Sequence, residues 1–463
     1  MAVEQYGLHG SGTSNPSKLI WRAFDLLEER AKEPIKMTYR SVGSGVGQRE
    51  YQGNSERVPY SHFGSGDIPL SQEIYDNITD SGRTPLHLPF VVGAISVFHS
   101  VTELDNDEFP LQLKPCTVAK IFSRKITTWD DPEILAENPS VSELIPRDQA
   151  ITVVGRTFGS SSTASLTGYL HEACPEEWPA DKVGSTVDWD ADVVTREESD
   201  GTSRYLQNNP YAIAYIEAFH GINLRLKEIK LENKAGNYIH SSDADIGAAA
   251  DGALNAGIIP QSPQDSWAQV EIFNQDGENT WPIAAISYFY VDQDLSSLNE
   301  TGRLLEAFLK FIVSEEGEEI AASFGFVGLP PSVKDIYNQA LESLEFAEST
   351  TPWTFESRDV TDVGTGQENH VFSGKRQTYA EYDRGVLSTS VSLLETQLAE
   401  LSSRYEDLMQ STGGGSSTSN TAIAALVISI VATLMSGFLL YMVMKPSRGW
   451  QKSSVPVTLD GNF

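Results

Sequence analysis

Residues 151–170, ITVVGRTFGSSSTASLTGYL, contain the patterns that decide the fold class. The stretch begins with an apolar run, ITVVGR, which is typical of a buried strand. It ends in a helical pattern that starts at SLTGYL, and the residues between the two are mostly glycine, serine and threonine. A strand that turns directly into a helix is the repeating unit of α/β proteins, so the stretch predicts that architecture.

The same alternation continues in both directions along the chain. Strands are predicted at YAIAYIEAF (211–219), LPFVVGAISVFHSV (88–101) and WPIAAISYFYVDQD (281–294). Helices are predicted at PSKLIWRAFDLLEERAK (16–32) and TGRLLEAFLKFIVSEEGEEIAASF (301–324). We therefore expect mostly parallel sheets, in which binding sites lie beyond the carboxyl ends of strands.

The composition describes a folded and strongly acidic protein. The chain has 463 residues, 40% of them hydrophobic, which is enough for two or three domains. It has 33 Lys and Arg against 64 Asp and Glu, for a formal charge of −31. A surface of this charge excludes a dominant nucleic-acid footprint, so an anion would be bound through local dipoles and one or two cations.

Two further Gly/Ser-rich turns resemble the one at 157–163. They are HGSGTSNPSKLI (9–20) and RSVGSGVGQRE (40–50), and each leads into a predicted helix. A helix start offers free backbone N–H groups, and the neighbouring hydroxyls add donors, so such turns can hold an anion. With Arg156 beside the third turn, the three together predict an anion site.

A fourth turn, HFGSGDIPLS (62–71), presents Asp67. Phosphate near neutral pH keeps a proton that a carboxylate can accept, whereas sulfate has none and is repelled. Asp67 therefore suits a site that selects phosphate. The alternative is an ordinary turn or helix-capping role before Ile68 and Pro69.

The sequence gives no indication of an enzyme, a cofactor or a metal. It lacks the G-x-x-x-x-G-K-[ST] phosphate loop, and its 8 histidines do not show metal-ligand spacing. We therefore expect no catalytic, cofactor or metal residues. The 2 cysteines, Cys116 and Cys174, could form one bridge in an oxidising compartment, but nothing local in the sequence decides this.

Ten segments occur in an order that resembles the phosphate-binding receptors of bacterial phosphate-specific ABC transport. They are GSGTSNP, SVGSGVG, HFGSGDIPLS, LPFVVGAISVF, KIFSRKITTWDDPEI, ITVVGRTFGSSSTASLTGYL, VGSTVDW, NPYAIAYIEAF, DGENTWPIAAISYFYV and FVGLPPSV. These receptors have the type II periplasmic-binding-protein fold. The resemblance covers about residues 5 to 345.

The resemblance implies a two-lobed α/β clamp over residues 1–348. Lobe one would contain 1–96 and 284–348, lobe two would contain 97–283, and FVVGAIS and WPIAAIS would cross between them. Asp67 would accept the phosphate proton and Arg156 would supply the one cation. The implied phosphate ligands are Thr13, Ser14, Ser44, Asp67, Arg156, Ser160, Ser161 and Ser162.

The sequence departs from the family pattern at two site positions. The family has an aspartate two residues after the arginine, where this chain has Phe158, so Arg156 is expected to keep more of its charge. Ser161 replaces a glycine, and its side chain would either crowd the ligand or add a donor.

The region after residue 348 predicts a stalk and a membrane anchor. Residues 349–378 are polar and predict a linker, and 379–410 predict a helix with an a/d seam from Leu387 to Leu408. The seam would form a two-stranded homodimer or lie on the globular domain. A Gly/Ser linker at 411–421 precedes 422–444, 23 residues without a charge that are long enough to cross a bilayer as a helix.

The charges around this segment predict its orientation. Lys445, Arg448 and Lys452 follow it and no basic residue closely precedes it, so residues 445–463 would be cytoplasmic and the large domain extracellular or lumenal. The first residues, MAVEQYGLHGSG, do not resemble a signal peptide, so we expect a leader that is missing from this sequence. A tail anchor with a cytosolic domain is the alternative.

These observations lead to one main functional hypothesis, a membrane-anchored extracellular protein that captures inorganic phosphate for uptake by a phosphate transporter. One alternative is a phosphate sensor that signals through the stalk and tail to a separate partner. A phosphatase-like enzyme is a further alternative that the residues favour less.

Overall fold

The computed structural model of the protein describes residues 5–104, 110–356 and 368–411. The chain divides into two compact units, Met1–Thr378 and Tyr379–Phe463. The strands are β1 Tyr6–Gly12, β2 Ile35–Ser41, β3 Phe63–Gly66, β4 Pro85–His99, β5 Gln112–Leu113, β6 Thr152–Arg156, β7 Val194–Arg196, β8 Ala212–Glu217, β9 Lys227–Glu228, β10 Lys230–Glu232, β11 Tyr238–Ile239, β12 Ala284–Asp292, β13 Thr354–Glu356 and β14 Val371–Ser373.

Helices connect most of these strands. They are α1 Ser17–Arg30, α2 Ser44–Gln52, α3 Gln72–Thr79, α4 Pro115–Phe122, α5 Pro132–Glu137, α6 Ser161–Ala173, α7 Glu198–Asn208, α8 Ala218–Asn223, α9 Gly247–Asn255, α10 Glu300–Ile312, α11 Glu315–Ser323, α12 Pro331–Glu342 and α13 Tyr379–Ser411. In α1 the buried apolar residues recur at helical spacing, at Leu19, Ile20, Ala23, Phe24, Leu26 and Leu27. That stripe anchors the helix on the sheet.

The main sheet has the strand order β2-β1-β3-β12-β4-β8-β6-β7, and β9 pairs with β4. β1 pairs in parallel with β2 and β3, and β6 pairs in parallel with β7 and β8. The α/β prediction is confirmed. The expectation of mostly parallel pairing holds only for these two outer groups, because β12 pairs antiparallel with β3 and β4, and β4 pairs antiparallel with β8.

β4 is the strand that two lobes share. It is buried along its whole length, pairing with β12 over Pro85–Ala94 and with β8 over Ile95–His99. The residues on either side belong to separate hydrophobic cores, one built around Phe63, Phe289 and Phe308 and the other around Trp129 and Trp281. We call the halves around them the first lobe and the second lobe.

Residues 247–272 differ from the expected lobe assignment. Their buried members are Ala249, Ala250, Ala253, Ile259, Trp267, Val270 and Ile272, and all of them lie in the core of the first lobe rather than the second. α9 packs on α12 and β12, where its small alanine and glycine side chains allow close approach. A stretch of small residues lacks a strong hydrophobic pattern, so the sequence did not indicate this packing.

The expected linker at 349–378 is also partly folded onto the first lobe. β13 and β14 pair in parallel, and Lys32 N–H donates to Val371 O at 3.1 Å. Trp353 and Phe372 are buried, with their rings stacked at 4.7 Å between centroids. These aromatic side chains give the segment an apolar anchor, so its described residues pack as part of the first unit.

Cys116 and Cys174 form a disulfide bridge, with 5.3 Å between their Cα atoms. The bridge joins the first turn of α4 to the residue that follows α6. It answers the question that the sequence left open about these cysteines.

In the second unit, α13 covers nearly the range predicted for the stalk helix, 379–410. Pairing through the Leu387–Leu408 seam stays a prediction. Within the described ranges, every helix is too short or too polar to traverse a bilayer. The predicted span 422–444, the tail 445–463 and all but the first residue of the 411–421 linker lie outside the described residues.

Candidate anion-binding site

The first lobe contributes the ends of β1 and β3 and the start of α2. Thr13 directly follows β1, and its Oγ1 donates to Asp67 Oδ2 at 2.6 Å. A Cβ added to Gly47 would lie 2.4 Å from Gly12 Cα, so glycine in the first turn of α2 permits close approach to the end of β1. This approach places Ser44 near Asp67, whose N–H donates to Ser44 Oγ at 3.2 Å.

The second lobe contributes the turn between β6 and α6. Ser161 Oγ donates to Asp67 Oδ2 at 2.8 Å, so this bond joins the two lobes. Ser161 is the first residue of α6, and the N–H groups of a first helical turn have no intrahelical acceptor. Those donors therefore start in the same crevice as Asp67.

Asp67 is the centre of this group. Its Oδ2 accepts from Thr13 and Ser161, and its Oδ1 accepts from Ser287 Oγ at 2.7 Å. Burial raises the pKa of Asp67, and the nearby charge of Glu217 adds to that rise, while the hydrogen bonds from Thr13, Ser287 and Ser161 oppose it. A buried carboxylate with three hydroxyl donors is a strong acceptor site.

Arg156 is the last residue of β6, and its side chain is 6% exposed. Its Nη2 lies 3.4 Å from Glu198 Oε2, and its Nη1 is buried without a hydrogen-bond partner among the described residues. Buried guanidinium nitrogens are normally satisfied, so an unpartnered one is a candidate contact for an anion.

Glu217 ends β8 and is buried. Its Oε1 accepts a hydrogen bond from Ser162 Oγ at 2.8 Å. Burial alone would raise the pKa of Glu217, but the positive charge of Arg156 and hydrogen bonds from Ser199 and Ser162 outweigh burial and hold the pKa below its usual range. The charge of Arg156 therefore favours the ionised form of Glu217.

The structure brings the sequence-predicted residues close together where the two lobes meet. Thr13, Ser44 and Ser161 bond to Asp67, Ser14 and Arg156 both contact Glu198, and Ser162 bonds to Glu217. Ser160 precedes Ser161 and is buried, but its N–H donates to Ser185 O at 2.8 Å. The backbone donor expected from Ser160 is thus already used, and the ligand roles of all eight residues stay predictions.

Three residues of the site were missed from the sequence, Ser287, Glu198 and Glu217. Glu217 had a usable signal, since it is a charged residue at the end of the apolar strand AIAYIE. Ser287 lies in WPIAAIS, which was noted only as a crossing strand. Glu198 follows another glutamate in a charged turn that resembles ordinary solvated surface.

The two departures from the family pattern have different outcomes. Phe158 is 63% exposed, and the Arg156 side chain contacts Glu198 at 3.4 Å. The expectation that Arg156 keeps more of its charge stays a prediction. The Ser161 side chain adds a hydrogen-bond donor, which it directs at Asp67.

Comparison with known proteins gives consistent relationships. The family model for the PBP superfamily domain matches residues 2–316. The chain is 29% identical to the phosphate-binding protein PstS of Methanocaldococcus jannaschii over 67% of this chain and 79% of the relative. It is 27% identical to the PstS of Haemophilus influenzae over 70% of this chain and 89% of the relative.

A solved structure shares the fold. The phosphate-binding protein from Stenotrophomonas maltophilia aligns with a TM-score of 0.54 and 18% identity, over 71% of this chain and 92% of that one. The alignment supports the two-lobed α/β architecture described above.

Proposed function

The chain belongs to the PBP superfamily, and on this premise we propose that it is a receptor that binds inorganic phosphate in the crevice between its lobes. The observation that carries the proposal is the convergence on Asp67 of hydroxyl donors from both lobes. The relatives reported above are named as phosphate-binding proteins, which supports the same ligand. We propose binding without a catalytic step.

Anion binding in so acidic a protein depends on local groups. Arg156 supplies a buried cation whose Nη1 has no protein partner among the described residues. The α6 N-terminus adds N–H donors and the positive end of a helix dipole. Because Glu217 partly neutralises Arg156, the proposed site relies on directed hydrogen bonds more than on net positive charge.

Asp67 provides the basis for choosing phosphate. A phosphate that retains a proton can donate it in a hydrogen bond to the Asp67 carboxylate. Sulfate lacks that proton, so it would place negative charge against a buried carboxylate that it cannot satisfy. The expected selectivity is therefore phosphate over sulfate.

Ligand binding requires some hydroxyl groups to change partners. Thr13 Oγ1 and Ser161 Oγ now donate to Asp67 Oδ2. A hydroxyl hydrogen rotates about its C–O bond, so both donors can turn to a phosphate oxygen while Asp67 Oδ2 accepts the phosphate proton. In this account the carboxylate holds the donors in place until the ion arrives.

The cellular part of the proposal depends on the sequence beyond residue 411. We propose that residues 422–444 anchor the receptor in a membrane, with the phosphate-binding domain extracellular, and that it delivers phosphate to an ABC transporter. Alkaline carbonate extraction of membranes tests the anchor. The full chain should stay in the pellet, whereas release into the supernatant would contradict anchoring.

Isothermal titration calorimetry on the detergent-solubilised full chain tests phosphate binding. We expect saturable binding of one phosphate per chain at micromolar concentration and no heat from sulfate under the same conditions. A chain that is folded by circular dichroism and gives no heat with phosphate would contradict the proposal.

A further inference from the structure

Glu198 makes a bridge between two of the residues that are predicted to bind phosphate. Its Oε2 accepts a hydrogen bond from Ser14 Oγ at 3.2 Å and lies 3.4 Å from Arg156 Nη2. Ser14 follows β1 in the first lobe, and Arg156 ends β6 in the second lobe. One carboxylate oxygen thus lies between two residues that the family resemblance implies as phosphate ligands.

Glu198 differs from the other two carboxylates of the crevice in its exposure. Its side chain is 54% exposed, whereas Asp67 and Glu217 are buried. An exposed carboxylate is already largely hydrated and can turn into solvent at little cost, whereas Asp67 and Glu217 hold buried hydrogen bonds that such a movement would break. Glu198 is therefore the carboxylate that can leave when an anion binds.

The backbone at Glu198 is unusual as well. It is the first residue of α7 and has a φ of 53°, in the left-handed region that residues with a side chain rarely adopt. Residues held in such conformations cluster at ligand clamps and switch regions. The strained backbone and the bridging carboxylate are independent observations on one residue.

We infer that Glu198 is an affinity-determining residue that competes with phosphate for Ser14 and Arg156. The inference rests on the proposed function. In the ligand-free protein the Glu198 carboxylate takes the place of an anion and bridges the lobes. Phosphate displaces it into solvent, and the interactions lost on displacement weaken the observed phosphate affinity.

The competing idea is that Glu198 orients Arg156 for the ligand. The two roles have opposite consequences for Glu198→Gln, which keeps the size of the side chain but removes its charge. Loss of a competitor tightens phosphate binding, whereas loss of an orienting group weakens it. Glu197→Gln is the matched control, because it removes an exposed charge one residue away.

The test measures the dissociation constant for inorganic phosphate by calorimetry on the full chain and on both variants. We expect Glu198→Gln to bind phosphate about two- to fivefold more tightly at low ionic strength, the range typical of an exposed ion pair. The gain should shrink in high salt because exposed charges are screened. Glu197→Gln should bind within error of the parent chain.

If Glu198→Gln binds phosphate as tightly as the parent chain, or more weakly, the inference is overturned. The proposed function stays intact in that case, because the parent chain still binds phosphate. Equal tightening by both variants also overturns it, because the effect would then be general charge reduction. Failure of the parent chain and of Glu198→Gln to bind phosphate overturns the proposed function and the inference together. Unfolding midpoints of the variants check that each is folded.

Discussion

Ser161 Oγ in the second lobe donates a hydrogen bond to Asp67 Oδ2 in the first lobe at 2.8 Å. Thr13 Oγ1 donates to the same oxygen from the first lobe. One carboxylate oxygen therefore accepts hydrogen bonds from both lobes. Under the proposed function, Asp67 would couple ligand recognition to contact between the lobes.

Replacing Ser161 tests that coupling. Ser161→Ala removes the donor across the crevice, and phosphate affinity should fall by about two- to tenfold, the usual value of one hydrogen bond. Ser160→Ala is the comparison variant, and it should lose less because the described side-chain donors to Asp67 are Thr13, Ser161 and Ser287, and not Ser160. A larger loss for Ser160→Ala would show that the wrong serine was assigned to the contact.

Replacing Asp67 tests selectivity. Asp67→Asn keeps the size of the side chain but exchanges one acceptor oxygen for a donor NH₂ group. Phosphate should bind more weakly, and sulfate should become a measurable competitor in a displacement titration, because the repelling charge is gone. If the parent chain and Asp67→Asn exclude sulfate equally, Asp67 is not the group that selects phosphate.

Replacing Arg156 separates binding from stability. Arg156→Ala should abolish phosphate binding and lower the free energy of unfolding, since it removes the positive charge that favours the ionised form of buried Glu217. The double variant Arg156→Ala with Glu217→Gln should regain much of the stability but none of the binding. Urea unfolding and calorimetry give the two quantities. Recovery of phosphate binding in the double variant would contradict the role of Arg156.

Because two histidines are buried, we expect the free energy of unfolding to decrease in acid. Burial lowers the pKa of His87 and of His99 to about 3, from 6.5 for the unfolded chain. Between these values the unfolded chain takes up protons that the folded chain does not, so stability decreases as the pH falls below about 6.5. Each histidine should cost about 1.4 kcal/mol between about pH 7.5 and pH 5.5.

His87→Gln isolates one of these contributions. Leu70 N–H donates to His87 Nε2 at 3.1 Å, and a glutamine oxygen offers an alternative acceptor for it. Urea unfolding at both pH values should show a pH dependence smaller by about 1.4 kcal/mol than in the parent chain. If His87→Gln and the parent chain show the same pH dependence, His87 takes up a proton in this pH range in the folded protein as it does in the unfolded chain.

The disulfide predicts a difference between oxidised and reduced protein. Cys116 and Cys174 are 58 residues apart, and opening a loop of that length should lower the free energy of unfolding by about 4 kcal/mol on the chain-entropy estimate. Denaturant unfolding of Cys116→Ser/Cys174→Ser against the parent chain measures the change. If the two proteins have the same free energy of unfolding, the disulfide does not stabilise the protein.

The parts predicted well from sequence are those with strong local patterns. The strand–turn–helix at 151–170 forms β6 and α6, and the apolar crossing segments form β4 and β12. The turns that follow β1 and β3 converge because parallel neighbouring strands end at the same edge of a sheet.

The parts that failed depend on contacts between distant residues. The Ala/Gly-rich α9 has little apolar area, and its place in the first lobe is set by α12 and β12. Trp353 and Phe372 bury on the first lobe although the polar residues around them suggest a linker. Glu198 reaches Arg156 only after folding brings β6 and α7 together, so no spacing in the sequence identifies it.

A crystal structure of the chain grown with inorganic phosphate, compared with one grown with sulfate alone, is the most direct test of the central claim. We expect a tetrahedral ion in the phosphate crystals within hydrogen-bond distance of Asp67, Arg156 and Ser161, and no ion there in the sulfate crystals. An ion bound elsewhere, or sulfate bound equally well between Asp67 and Arg156, would contradict it.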